Sequence, residues 1–135
     1  MGGEERAYLA GIIDGEGSIS LTVNQKGGSR IVAVTVSNND LNLLLYVKEI
    51  IGAGQITNKN SRKKEHAHSY TYAIYSRQAI DLLKQVLPYL RTYKRKRAAL
   101  ILDKYLLVTP RNGKYTPEMK KNKQKFVDTF FAIAV

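Results

Sequence analysis

The chain has 135 residues, with 22 Lys and Arg against 11 Asp and Glu and a formal net charge of +11, so one domain's length carries a charge that calls for a polyanionic partner, nucleic acid first and a membrane surface second. There is no cysteine and only His66 and His68 for histidine, which excludes disulfides, thiolate catalysis, cysteine zinc sites and a histidine triad, fits an intracellular protein, and leaves oxygen to hold any metal, as suits Mg²⁺, Mn²⁺ or Ca²⁺. No stretch approaches the roughly 20 apolar residues that span a bilayer, and Met1–Arg6 has neither a secretory pattern nor the Ser or Thr that myristoylation needs.

In chain order, residues 4–15 read as a helix, with Ala7, Tyr8, Ala10, Gly11 and Ile12 suited to a closely packed face. Gly15 and Gly17 should end it through positive φ. Ser18, Ser20, Thr22 and Asn24 then alternate with Ile19, Leu21 and Val23, a half-buried strand. Gly27-Gly28-Ser29 reads as a turn into a second strand over 30–37. Ser37-Asn38-Asn39-Asp40 is a cluster of helix-capping types before an apolar helix at 41–51 that stops at Gly52. Strands follow at 54–60 and 67–75, joined by the basic loop Ser61-Arg62-Lys63-Lys64-Glu65. Ser76 can cap a helix at 77–87, which Pro88 ends. A fourth helix runs from about 94 to 108. Thr116-Pro117 opens a last one to about 133, with Met119, Phe126, Phe130 and Ile133 at helical spacing; Phe126, Phe130 and Phe131 read as core or interface.

This order predicts one α+β domain over residues 1–135: four antiparallel strands, helices on one face, and a polar face left open. A β-ribbon of polar side chains can enter a major groove, where each base pair presents its own donors and acceptors. The candidate DNA contacts are Ser18, Ser20, Thr22, Asn24, Lys26, Arg30, Thr35, Gln55, Thr57, Lys59, Arg62, Lys63, Tyr70, Tyr72 and Lys96. The charge is concentrated late in the chain. Residues 1–90 hold ten basic and eight acidic side chains, and residues 91–125 hold twelve and two. Lys64, Arg111, Lys114, Lys120, Lys121 and Lys123 read, with Arg62 and Lys63, as phosphate contacts that position without specifying, or as a solvated face.

The segment Leu9-Ala10-Gly11-Ile12-Ile13-Asp14-Gly15-Glu16-Gly17 carries the chemistry. Its small residues let two helix backbones approach closely. Its turn delivers Glu16 to the negative end of the helix dipole, where a carboxylate is unfavourable and a cation would compensate it. The segment resembles the LAGLIDADG motif of homing endonucleases. Six of nine positions are identical, or seven when Gly15, a frequent variation, is allowed. The serine-bearing strand, the αββαββα order and the closing basic stretch extend the resemblance over nearly the whole chain.

The resemblance implies a site-specific DNA endonuclease that makes double-strand breaks at a long pseudo-palindromic site, encoded within an intron. It implies a homodimer whose motif helices pack at the twofold axis, with Tyr8, Ala10, Gly11 and Asp14 as the candidate contacts. Glu16 from each copy would bind the catalytic metal, Mg²⁺ or Mn²⁺, aided weakly by the Gly15 backbone; Ca²⁺ is expected to bind without supporting cleavage. Aspartate is commoner than Glu16 at this position, which leaves the metal geometry open. Asp14 is either a second ligand or a brace for the neighbouring turn across the dimer. By context, Asn38 is either a water-organising residue or a helix cap, and Lys94, or Lys96 if the register slips, is the catalytic lysine or a phosphate contact. Relatives that assist intron RNA splicing, or that bind DNA without cutting, keep RNA-maturase and regulator readings open.

Overall fold

Alternation along the strands decides which face of the sheet is covered. The computed structural model describes residues 1–23, 28–59 and 69–135. Strands β1 (Gly17–Val23), β2 (Arg30–Asn38), β3 (Gln55–Lys59) and β4 (Ser69–Tyr75) form one antiparallel sheet in the order β1-β2-β4-β3. On one face Ile19, Leu21, Val32, Val34, Val36, Tyr72 and Ile74 are buried. Helices α1 (Gly3–Glu16), α2 (Leu41–Ile51), α3 (Ser76–Val86), α4 (Lys94–Lys104) and α5 (Pro117–Ala132) cover that face and share its core through residues such as Leu9, Leu44, Leu83, Ile101 and Phe130. This is the expected α+β architecture, with the opposite face of the sheet left open. Among the described residues no helix is long and apolar enough to cross a membrane.

Several helix ends follow the capping chemistry. Asp40 accepts the Asn42 amide at the start of α2, and Gly52, at φ 79°, closes it. Thr116 accepts the Met119 amide ahead of Pro117. Elsewhere the expectation fails. Ser76 does not cap α3. It lies within the helix at φ 54°, the one non-glycine with positive φ among the described residues. Pro88 sits in a short 3-10 turn, Leu87–Tyr89. The fourth helix ends at Lys104, and its expected last turn is a separate 3-10 piece, Leu106–Val108.

Register corrects two candidate DNA contacts. Tyr70 is half-buried against the core and Tyr72 is buried, because they share parity with Ile74. Thr71 and Ala73 point the other way, opposite Thr57 and Gln55 of β3. The Tyr72 hydroxyl donates to the Ala53 carbonyl at 2.6 Å. A Cβ on Gly54, which has φ 101°, would lie 2.5 Å from the Tyr72 ring. Tyr72 therefore locks the entry to β3. Burial pushes its pKa up from 10.0 to about 12. A raised folded-state pKa contributes stability present below the unfolded pKa and lost as pH rises through the folded one, so stability should fall between pH 10 and about 12. Tyr72→Phe is expected to cost about 1 kcal/mol at neutral pH for the missing hydrogen bond and to flatten that alkaline fall. Urea titrations of both proteins across this range test it; an unchanged alkaline slope in the variant would assign the fall to another group.

Candidate functional site

The strand–helix junction at Glu16 depends on one close approach. The positive φ expected of the motif glycines is not used. Gly15 lies within α1, and Gly17 is extended at φ −97°. What Gly17 supplies is space, since a Cβ there would sit 2.8 Å from Ile13 Cα and 3.2 Å from the Thr35 carbonyl oxygen. Glu16 thus ends α1 where β1 begins beside β2, with its side chain exposed.

Asn38, the last residue of β2, donates its Nδ2–H to Glu16 Oε2 at 2.5 Å. Its Oδ1 accepts the Asp40 amide at 2.7 Å. Helix α2 is capped by Asp40, so Asn38 is not its cap; it orients the carboxylate. One amide hydrogen bond holds Oε2.

Asp14 faces its own chain. It accepts from the Arg91 amide at 2.8 Å, the Thr92 amide at 3.2 Å and the Thr92 hydroxyl at 2.6 Å. Partial burial pushes its carboxyl up, but these hydrogen bonds and the nearby Lys94 charge outweigh that and hold it below the ordinary carboxylate value. Its carboxylate braces the 91–92 segment ahead of α4 within its own chain.

Lys94 is buried, and its ammonium donates to the carbonyls of Ile13 and Asp14, both at 2.8 Å. The last carbonyls of a helix have no intrahelical donor and form its negative end. Lys94 fills that role, so a cation from within the chain already offsets part of the unfavourable setting of Glu16. Burial pulls the Lys94 pKa below its ordinary value, and the Asp14 charge opposes the shift. Lys96 lies exposed on α4. Lys94→Met is expected to destabilise the fold by about 1–3 kcal/mol, because the Asp14 carbonyl loses its donor and the Ile13 carbonyl keeps only the Gly17 amide. Chemical denaturation reads this, and a variant as stable as the parent would refute the helix-end role.

On the open face, Ser18 pairs with Thr35, Ser20 with Ala33 and Thr22 with Ile31. Gln55 and Thr57 are exposed on β3, and Lys59 pairs in register with Ser69. The structure therefore brings Ser18, Ser20, Thr22, Thr35, Gln55 and Thr57 onto one surface beside Glu16. It adds Ser37 and Thr71, whose hydroxyls bond at 2.8 Å. The sequence signal for Thr71 was the parity of Ile74, which sets Tyr70 and Tyr72 inward. Arg30 is not a free contact: its guanidinium donates to the Leu21 carbonyl at 2.9 Å and lies 5.0 Å from the Phe131 ring centre. Lys123 is buried against the 109–115 loop. Asn24, Lys26, Arg62 and Lys63 lie outside the described residues.

Helix α1 divides its small residues. Ala10 is fully buried in the chain's own core, so it cannot form the expected interface. Ala7, Gly11 and Gly15, spaced by four, are exposed, and a Cβ on either glycine would meet nothing within 4 Å. Tyr8, half exposed, packs edge-on to Tyr46 of α2 at 5.8 Å between ring centres. No group of three or more His, Cys, Asp or Glu that could hold a metal occurs among the described residues.

The profile of the LAGLIDADG endonuclease family matches residues 9–122. The chain is 28% identical over 110 residues to an intron-encoded DNA endonuclease, ai2b, of Dictyostelium discoideum, covering 78% of this chain and 40% of that protein. It thus spans less than half of that relative. The fold is similar to that of the homing endonuclease I-CvuI, crystallised with its target and Ca (TM-score 0.75, 22% identity, 97% of this chain and 82% of that one). It is also similar to the archaeal intron-encoded homing endonuclease I-Vdi141I bound to DNA (TM-score 0.66, 16% identity, 98% and 85%).

Proposed function

The chain belongs to the LAGLIDADG endonuclease family, and on that premise we propose that it is a divalent-metal-dependent DNA endonuclease that cuts both strands of a long, nearly twofold-symmetric site as a homodimer. The observation that carries this reading is the placement of an exposed Glu16 at the end of a helix whose outward stripe is Ala7, Gly11 and Gly15. Two such stripes pack closely about a twofold axis, and the junctions they end in bring the two Glu16 carboxylates together.

The donor set fits a hard cation: Glu16 from each copy, with backbone oxygen near Gly15, supplies oxygen ligands. Two close carboxylates repel, which a divalent cation relieves. When bound, such a cation polarises the phosphoryl oxygens and offsets charge at the leaving oxygen. The chain's own groups do the rest. Asn38 fixes the Glu16 carboxylate, leaving its other oxygen for a ligand. Lys94 sets positive charge at the carbonyl end of α1 beside the scissile backbone. The open sheet face, with Ser18, Ser20, Thr22, Thr35, Gln55 and Thr57, lies along the duplex groove, where hydroxyls and the Gln55 amide read base edges directly or through water. Lys96 and the other exposed cations of the C-terminal third contact phosphates.

Incubation with a randomised duplex library, with and without Mg²⁺ or Mn²⁺, tests the proposal. Cleavage restricted to a nearly palindromic subset, and only with metal, is expected. Tight duplex binding without cleavage in either metal would reject the enzyme, and preferential binding of structured RNA would favour a splicing role.

A further inference from the structure

A second charged feature lies away from Glu16. A cavity of about 950 Å³ opens between the far end of the β1–β2 hairpin, the start of α3, the end of α4, the 109–113 loop and α5. Arg30, Arg77, Arg111, Lys120 and Lys123 line it, and among the described residues no Asp or Glu does. Arg30 is committed to the Leu21 carbonyl; the other four cations have no such tie to the backbone of the described residues.

Lys123 makes this cavity more than a basic surface. It is 5% exposed, and its ammonium has three donors. One goes to the Thr109 hydroxyl at 2.6 Å and one to the Tyr115 hydroxyl at 3.2 Å. The ammonium also lies 4.6 Å from the Tyr105 ring centre. Tyr115 is held in turn by the Ser29 hydroxyl at 2.8 Å. A buried cation needs a compensating charge, yet these partners are neutral. Burial pulls its pKa down, the expected strain of that arrangement. The third N–H has no hydrogen-bond partner among the described residues.

We propose that this cavity seats a phosphate group of the DNA backbone, held by Lys123 with Arg111, Lys120 and Arg77, on the flank of the cleaved site. The assignment rests on the reading that a duplex lies along the open face. Val23 and Arg30, which both line the cavity, pair at the opposite end of β1 from Gly17. Six residues of strand separate the two ends, about 20 Å, which corresponds to about six base-pair steps from the cleaved step. A seat there anchors the outer duplex without reading its sequence.

The test uses the whole protein, the duplex recovered from the library selection, and the same duplex trimmed to fewer than about six base pairs on either side of the cleaved step. Arg111→Gln with Lys120→Gln alters exposed rim residues and leaves the core intact; Lys123→Met removes the central donor. On the full duplex the rim variant is expected to bind about tenfold more weakly, with the slope of log Kd against log salt reduced by about 0.9 for each phosphate that it no longer neutralises. On the trimmed duplex its affinity should equal the parent's. Equal weakening on both duplexes, or none on either, would overturn the proposal even if Lys123→Met fails to fold. Inorganic phosphate at constant ionic strength separates the sources. A shift of the Lys123 side-chain nitrogen resonance with phosphate, but with neither duplex, would overturn the DNA assignment. If the parent protein binds no duplex at all, the endonuclease reading itself fails. If it cuts normally while the variants behave as the parent does, only the cavity assignment fails.

Discussion

Glu16→Gln is expected to lower DNA cleavage by about 10³-fold or more, corresponding to about 4 kcal/mol of transition-state stabilisation, while duplex affinity without metal stays within a few-fold of the parent. The isosteric amide keeps the reach of the side chain and can still accept the Asn38 hydrogen bond through its carbonyl oxygen. It removes the charge that a divalent cation needs. Because Glu16 is exposed and Lys94 remains on the helix-end carbonyls, the variant should fold as the parent does. Single-turnover cleavage and equilibrium binding on the same duplex separate the two effects. Cleavage retained at the parent's rate would remove Glu16 from the reaction.

Gly11→Leu should act by another route. In the isolated chain a Cβ at Gly11 meets nothing within 4 Å, so the side chain has room, and replacing a helical glycine gains up to about 1 kcal/mol of helix propensity. The single chain should therefore be as stable or more stable. Across a twofold axis the same side chain from both copies occupies the closest approach of two helices. Overpacking of about 1–3 kcal/mol at each of the two sites would weaken the dimer by about 30-fold or more, and double-strand cleavage with it. Sedimentation equilibrium and thermal unfolding read the two quantities. A stable fold that remains dimeric and active would show that this stripe does not form the interface.

The architecture was legible in the sequence because its signals are local: period-two alternation in β1 and β2, the Asp40 and Thr116 caps, and the glycine closing α2. The errors arose where tertiary contacts decide. In β4 the tyrosines look amphipathic, and only the company of Ile74 inside the core sets Tyr72 inward. In α1, Ala10 and Gly11 are both small, yet one helical step separates a core residue from an open face. Arg30 reads as a free DNA contact from charge alone, but the carbonyl of Leu21 holds it. The most distant links were invisible in the linear chain. Lys94 lies 80 residues from the Asp14 carbonyl it caps, and Asn38 lies 22 from Glu16. No local pattern announces either pairing, although both place a complementary group beside the motif.

The central claim is that one cutting unit needs Glu16 from two copies. Mixing parent and Glu16→Gln chains at equal concentration, with time for subunit exchange, tests it most directly. If both carboxylates are required and the chains pair at random, double-strand cleavage should fall to about a quarter of the value for unmixed parent, following the square of the parent fraction. Cleavage at about half that value, in proportion to the parent chains present, would mean that each copy cuts alone and would contradict the shared site.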